Sequence, residues 1–272
     1  IDKDDHASIV DGCLMSRGEM RRFSHSDPDS LDKALSRLPA DAGKLVVVDG
    51  VYSMGGDIAP LPQLVEICKR YGARIMVDDA HSLGVLAGGR GTAAHFGLTD
   101  DVDLIMGTFS KSFASIGGFI AGDADVLHFI QHHARALMFS ASLPAPNAAA
   151  VLAALEIMET EPQHVERLWE NARYMLAGLH RLGYDTGSSE TPIIPLLIRD
   201  DYRTVLAWHA LVEEGVYTNP VVPPGVPPNM SLLRTSYMAS HTKEHLDRAL
   251  VGLETVGHNL DLIPTGATLQ TV

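Results

Sequence analysis

Met76-Val-Asp-Asp-Ala-His81-Ser-Leu-Gly84 places two carboxylates and an imidazole at the end of an apolar run that begins at residue 74. Short apolar runs of this kind suit strands buried on both faces of a parallel sheet, and open α/β sheets collect their ligand sites at the carboxyl ends of such strands. Taken alone, the strand-end Asp reads first as a cap for a following helix or turn. The rest of the chain changes that balance.

Three more Val/Ile-rich runs, residues 44–50, 102–106 and 119–121, carry the same pattern, and each is followed by turn or loop residues. Between the first run and residues 74–78 lies a helical segment, residues 61–71, in which Leu64, Ile67 and Cys68 recur at helical spacing and Gly72 marks the end. A strand, helix, strand unit results. Residues 125–135 and 145–159 also read as helices, the second opened by Pro144 and Pro146, and residues 162–182 as a long helix leaving this domain. From Thr191 the pattern changes to strands at residues 193–198, 216–222 and 232–237 with helices at residues 202–214 and 242–258, a compact α+β unit. The predicted fold is α/β: a mostly parallel central sheet with helices on both faces in residues 1–165, and a smaller C-terminal α+β domain with its connecting helix in residues 166–272.

A chain of 272 residues with 46% hydrophobic content can bury a sizeable core. Its 21 Lys and Arg against 34 Asp and Glu give a formal charge of −13 with no polybasic run, which argues against nucleic acid and anionic lipid surfaces as partners. The most apolar stretch, residues 148–155, is far shorter than the roughly 20 residues of a membrane span, and no secretory signal opens the chain. Cys13 and Cys68 are too few for a disulfide framework and form no C-x-x-C pair. A cytoplasmic protein without a metal site is expected. Because the chain opens on Ile1 in what reads as mid-fold sequence, part of the N-terminal domain is expected to lie upstream.

The second decisive stretch is Gly107-Thr-Phe-Ser-Lys111-Ser-Phe-Ala-Ser-Ile-Gly-Gly118, a lysine among apolar and small residues directly after a strand. A burying site there would lower its pKa. A neutral lysine amine can form a Schiff base with an aldehyde cofactor, and an ionised Asp can hold a pyridine nitrogen protonated, so Asp78 and Lys111 together suit an electron sink.

These segments, Asp-x-Ala-His and Thr-x-Ser-Lys-x-x-x-x-x-Gly-Gly, resemble fold-type I pyridoxal-phosphate enzymes, and specifically the α-oxoamine synthases. Supporting segments stand in the family's order: His6-Ala-Ser-Ile-Val-Asp-Gly12, Gly50-Val-Tyr-Ser53-Met-Gly-Gly-Asp57, Phe139-Ser-Ala-Ser-Leu-Pro144 and Leu233-Arg-Thr-Ser-Tyr-Met-Ala-Ser-His-Thr242. The resemblance implies pyridoxal 5′-phosphate as cofactor. It gives Asp78 to the pyridine nitrogen, His81 to the phenolic oxygen, and Lys111 to the Schiff base and later proton transfer. Thr108 and Ser110 would hold the phosphate and Ser53 would face the ring region. Ser140 and Ser142 would reach the phosphate in the neighbouring chain of a homodimer with shared active sites. Arg234 would receive the substrate carboxylate, where the bland alternative is a surface strand arginine. The family's cofactor-stacking residue and its glycine-rich phosphate loop are expected upstream of His6.

The implied reaction joins an amino acid to an acyl thioester and releases thiol and carbon dioxide. The loop Gly215-Val-Tyr-Thr-Asn-Pro-Val-Val-Pro-Pro-Gly-Val-Pro-Pro228 is most similar to serine palmitoyltransferase-type members, implying L-serine, a long-chain acyl-CoA and sphingolipid biosynthesis. Some bacterial palmitoyltransferases and 8-amino-7-oxononanoate synthases carry an arginine near the place of Val221 and Val222. Its absence disfavours an acyl chain with a distal carboxylate. Within the family the rivals use glycine or alanine: 8-amino-7-oxononanoate synthase, 2-amino-3-ketobutyrate CoA ligase, or a carrier-protein-linked synthase. Outside it stand a fold-type I aminotransferase, against which the contexts of His81 and Lys111 argue, and a non-catalytic partner subunit, against which Lys111 itself argues.

Other tempting features carry less. His128, His132 and His133 lack the Glu of a zincin motif and read as a solvated helix face. Gly88-Gly-Arg-Gly91 is too short for a dinucleotide fingerprint and reads as a tight turn. Ser82 lacks a nucleophile elbow.

Overall fold

The computed structural model describes residues 1–269, which fall into two compact units. The first comprises Ile1–Tyr52 and Ile58–Pro162; the second comprises Ser53–Asp57 and the described chain from Gln163 onward.

The first unit holds a four-stranded sheet in the order β1 (Leu45–Asp49), β2 (Arg74–Asp78), β3 (Leu104–Thr108), β4 (Gly118–Gly122). β1, β2 and β3 are parallel. The helix Leu61–Arg70 connects β1 to β2 and buries Leu61, Leu64, Val65 and Cys68 on one stripe against Val46, Val48, Ile75 and Val77 of the strands. Gly72, at φ 60°, stops it in a left-handed conformation that a side chain would strain.

β4 departs from the sequence expectation, because it pairs antiparallel to β3 and is largely exposed. The segment 109–117 is shorter than the dozen or so residues a parallel crossover needs, so the chain turns back as a hairpin-like return. Two helices, Ala7–Ser16 and Pro28–Leu35, were not anticipated. The first buries no residue and so has no apolar stripe to read. The second carries legible signals, an Asp27 cap on Ser30 N–H and a Pro at its start.

The second unit packs the helices Gln163–Arg181, Asp201–Glu213 and Lys243–Asn259 with a three-stranded antiparallel sheet ordered β5 (Ile193–Leu197), β7 (Leu232–Ser236), β6 (Asn219–Val221). Met175, Leu179, Leu196, Leu233, Leu250 and Leu253 form its core. β6 is shorter than the predicted strand over residues 216–222. Gly215 takes φ 77° and Val216 N–H donates to Leu211 O, so the chain after the helix is used to close the helix end. No described helix is long and apolar enough to cross a membrane.

Candidate active site

β1, β2 and β3 deliver their last residues to one edge of the sheet. Asp49 and Asp78 are register partners, and Met106, paired with Asp78, precedes Thr108 at the end of β3. A cavity of about 270 Å³ opens there. His6, Ser8, Asp49, Asp78, His81, Thr108, Ser110 and Lys111 supply its polar lining.

The two adjacent aspartates after Val77 divide their work. Asp78 lines the cavity and is almost fully buried, one oxygen accepting Ala80 N–H at 2.9 Å. Asp79 is fully buried and serves elsewhere: its carboxylate accepts from the Ser82 hydroxyl and from Thr92 N–H at 3.1 and 3.3 Å. Burial pushes the Asp79 pKa up, against the pull of these donors. Asp79 therefore braces the Ser82–Gly91 turn that follows His81. Gly88, Gly89 and Gly91 all have positive φ in it, and Gly84 N–H donates to Gly89 O at 2.9 Å. The glycine cluster is a tight turn, as its sequence suggested.

Gly50 follows Asp49 where backbone meets this brace. A Cβ there would stand 2.2 Å from Thr92 Oγ1 and 2.5 Å from Asp79 Oδ1, both in fully buried side chains. Gly50→Ala is expected to cost about 2 kcal/mol, several degrees of Tm, in thermal unfolding; an unchanged Tm would mean the brace yields freely.

Thr108, Ser110 and Lys111 ride the turn between β3 and β4. Phe109 N–H donates to Gly117 O at 2.9 Å and Ser115 N–H to Phe109 O at 2.7 Å, closing the loop. Thr108 Oγ1 and Ser110 Oγ lie 2.9 Å apart, two hydroxyls presented together. Lys111 is exposed, where the sequence reading placed it in a burying site. The open loop after β3 leaves it accessible at the cavity rim.

Asp49, in the cavity lining, forms an acidic cluster with Asp2 and Asp5, which do not line it. Asp5 accepts backbone N–H bonds from Asp2 and Asp49, each 2.9 Å. Burial raises Asp5 to about 7; burial and the charges of Asp5 and Asp78 raise Asp49 to about 8. Burial also works to raise Asp2, but the His25 imidazole and the amides of Asp4 and Ser26 outweigh it and hold that carboxyl low.

Of the residues assigned from sequence, Asp78, His81, Thr108, Ser110 and Lys111 line this cavity, and Ser53 does not. Ser53 belongs to the second unit, where its carbonyl accepts Arg234 Nε–H at 2.6 Å. Arg234 is half-buried, and desolvation lowers its pKa. It lines a separate cavity of about 550 Å³ with Thr218, Asn219, Ser236 and His241. Ser140 and Ser142 are exposed and line neither cavity. His132 and His133 bond carbonyls of their own helix, each at 2.8 Å.

Three polar residues of the lining, His6, Ser8 and Asp49, were not assigned from the sequence. His6 caps the helix Ala7–Ser16, its Nδ1 2.8 Å from Ser8 Oγ, and it lines the cavity. The sequence reading looks for the stacking group upstream of this motif, although an imidazole heading a quoted family segment is itself the available signal.

The match with known proteins follows the same lines. The model of the Aminotransferase class I and II family matches residues 1–253, and the chain belongs to that family. It is similar to serine palmitoyltransferase of Sphingobacterium spiritivorum, 52% identical over 92% of this chain and 63% of the relative. It is also similar to 8-amino-7-oxononanoate synthase of Symbiobacterium thermophilum, 44% identical over 96% of this chain and 67% of the relative. The solved Sphingomonas wittichii serine palmitoyltransferase superposes with a TM-score of 0.93 at 40% identity, covering 97% of this chain and 67% of that one. A solved serine palmitoyltransferase with its PLP internal aldimine gives 0.93 at 38% identity, covering 96% and 67%. The chain thus spans about two thirds of the length of these relatives. The fold is that of the fold-type I transferases, as predicted.

Proposed function

We propose that this chain carries the catalytic residues of a pyridoxal-phosphate-dependent acyltransferase that condenses L-serine with a long-chain acyl-CoA, releasing CoA and carbon dioxide and leaving an aminoketone. The observation that carries this is the convergence of Asp78, His81, Thr108, Ser110 and Lys111 on one cavity at the carboxyl edge of the sheet. The 52% identity to a serine palmitoyltransferase supports the choice of substrates.

The donor set fits the cofactor. A buried carboxylate suits a cationic ring nitrogen, paired hydroxyls suit a phosphate, and an accessible amine suits an aldehyde. When bound, pyridoxal phosphate supplies an electron sink for the bond-breaking at the amino-acid α-carbon. Asp78 would then hold the ring nitrogen protonated and His81 would donate to a developing negative oxygen. Thr108 and Ser110 would hold the phosphate, His6 would lie against the ring, and Lys111 Nζ would carry the covalent link and serve as the base for the α-proton. Arg234 receives the serine carboxylate through its planar fork, with Ser53 holding one edge of the guanidinium.

In this assignment the first unit is the cofactor domain and the second the smaller domain. The protein acts in the cytoplasm in sphingolipid biosynthesis, as a homodimer. The segment 124–139 favours the dimer: its helices Ala124–His133 and Arg135–Met138 bury no residue, and Phe129, Leu137, Met138 and the following Phe139 are exposed, next to Ser140 and Ser142.

The test is thiol release with pyridoxal phosphate, pairing serine, glycine and alanine with palmitoyl-CoA and shorter thioesters. Release requiring serine and palmitoyl-CoA is expected; preference for alanine with a dicarboxylic acyl group would move the protein to the 8-amino-7-oxononanoate synthases, which its 44% identical relative keeps as the second reading. Arg234→Ala is expected to raise the KM for serine about tenfold or more with a smaller effect on kcat, and Arg234→Lys to recover only part of it. An unchanged KM would remove Arg234 from the serine site.

A further inference from the structure

Asp49 ends β1 in register with Asp78 on β2, so the two carboxyls leave the sheet on the same face. It is 3% exposed and lines the cavity. One part of its carboxyl accepts the backbone N–H of His6, while Oδ1 has no hydrogen-bond partner among the described residues. Its own N–H is held by Asp5 Oδ1 at 2.9 Å. A buried polar atom left unsatisfied is costly, and where it borders a cavity a ligand is the natural partner.

We propose that Asp49 is a positioning residue of this cavity, fixing the His6 backbone and turning its open oxygen toward the ring-nitrogen side of a bound pyridine cofactor, next to Asp78. The inference rests on the cofactor reading above and adds a second carboxyl to it. Before a ligand binds, burial and the charges of Asp5 and Asp78 keep Asp49 protonated up to about pH 8. The titratable groups around it are Asp2, Asp5 and the Ile1 amino group on the N-terminal segment, His6, Tyr52 after β1, Asp78 and His81 on β2 and its turn, and Lys111 after β3. His25 is tied to Asp2. A cationic ring nitrogen arriving beside Asp78 favours the ionised form of Asp49, so binding drives its proton to solvent. Affinity through this group therefore rises with pH across the range where the free site holds the proton.

Pyridoxamine 5′-phosphate is the probe, because it lacks the aldehyde and cannot bond Lys111. Its affinity is measured by calorimetry at about pH 6.5 and about pH 8.5 for wild type, Asp49→Asn and Asp5→Asn. In Asp49→Asn the amide oxygen can still accept from His6 N–H, but the side chain cannot ionise. The ratio of the two affinities is expected to be about tenfold larger in wild type than in Asp49→Asn, since phosphate, Lys111 and His titrations are common to both. Asp5→Asn is expected to move the rise to lower pH without removing it, which also serves should Asp49→Asn fail to fold. Equal ratios in wild type and Asp49→Asn, or a rise that Asp5→Asn does not move, would overturn the inference. Borohydride reduction of the wild-type protein with pyridoxal phosphate, followed by peptide mapping, tests the cofactor reading separately. Label on Lys111 with equal pH ratios sinks only the role of Asp49, whereas no label on Lys111 sinks the reading beneath it.

Discussion

Lys111→Ala protein is expected to bind pyridoxal phosphate without covalent attachment and to release thiol from palmitoyl-CoA about 10³-fold more slowly than wild type, or slower. Two contributions add. In the proposed function the lysine amine would supply the covalent link to the cofactor, and the same Nζ would act as the base for the α-proton; general acid–base transfer alone is worth about 10²–10⁴-fold. Lys111 lies on the β3–β4 turn, exposed at the cavity rim and outside the packed core, so the substitution should leave Tm close to wild type. Loss of activity without loss of fold is the diagnostic pair, read by thiol release beside a melting curve. Lys69→Ala is the matched control: Lys69 is exposed on the helix Leu61–Arg70, ion-paired to Asp101, and does not line the cavity. A Lys111→Ala protein that retains a tenth of wild-type turnover would exclude Lys111 as the base and with it the α-oxoamine synthase mechanism.

The parts of this site that could be read in sequence are those set by local order. An apolar run ending in Asp78 predicts a buried strand with a carboxylate at its ligand edge, and Lys111 follows another such run in the same way; β2 lies where the pattern put it, and β3 is shifted by two residues. What could not be read is set by contacts between distant residues. His6 reaches the cavity because the segment around Asp2 and Asp5 is tied to β1 through Asp49 N–H, a link across 44 positions. The Ser53 carbonyl is held by Arg234, 181 positions away, a link that no local pattern announces. The direction of β4 depended on loop length, which was legible, and its exposure on its place at the sheet edge, which was not. Asp78 and Asp79 illustrate the limit most clearly, since two identical side chains side by side in sequence differ only in which face of the strand they leave.

That difference yields the second large effect. Asp78→Asn keeps the shape of the side chain and an oxygen to accept Ala80 N–H, so the fold should survive with little change in Tm. It removes the negative charge that would keep the ring nitrogen of the cofactor protonated. Without that charge the ring accepts electrons poorly, and turnover is expected to fall about 10²–10³-fold, mostly in kcat, because the loss falls where charge develops in the transition state. Asp79→Ala is expected to do the reverse. It strands Thr92 N–H inside the first unit and leaves the Ser82 hydroxyl only its 3.2 Å bond to the backbone carbonyl of residue 79, costing about 1–3 kcal/mol of stability and several degrees of Tm. The protein that remains folded should keep most of its turnover, because Asp79 lies outside the cavity lining. Measuring kcat and Tm on both variants separates the roles: an Asp78→Asn enzyme with near-wild-type kcat would show that this cavity does not use a cationic ring nitrogen, and the electron-sink chemistry assigned to it would have to be abandoned.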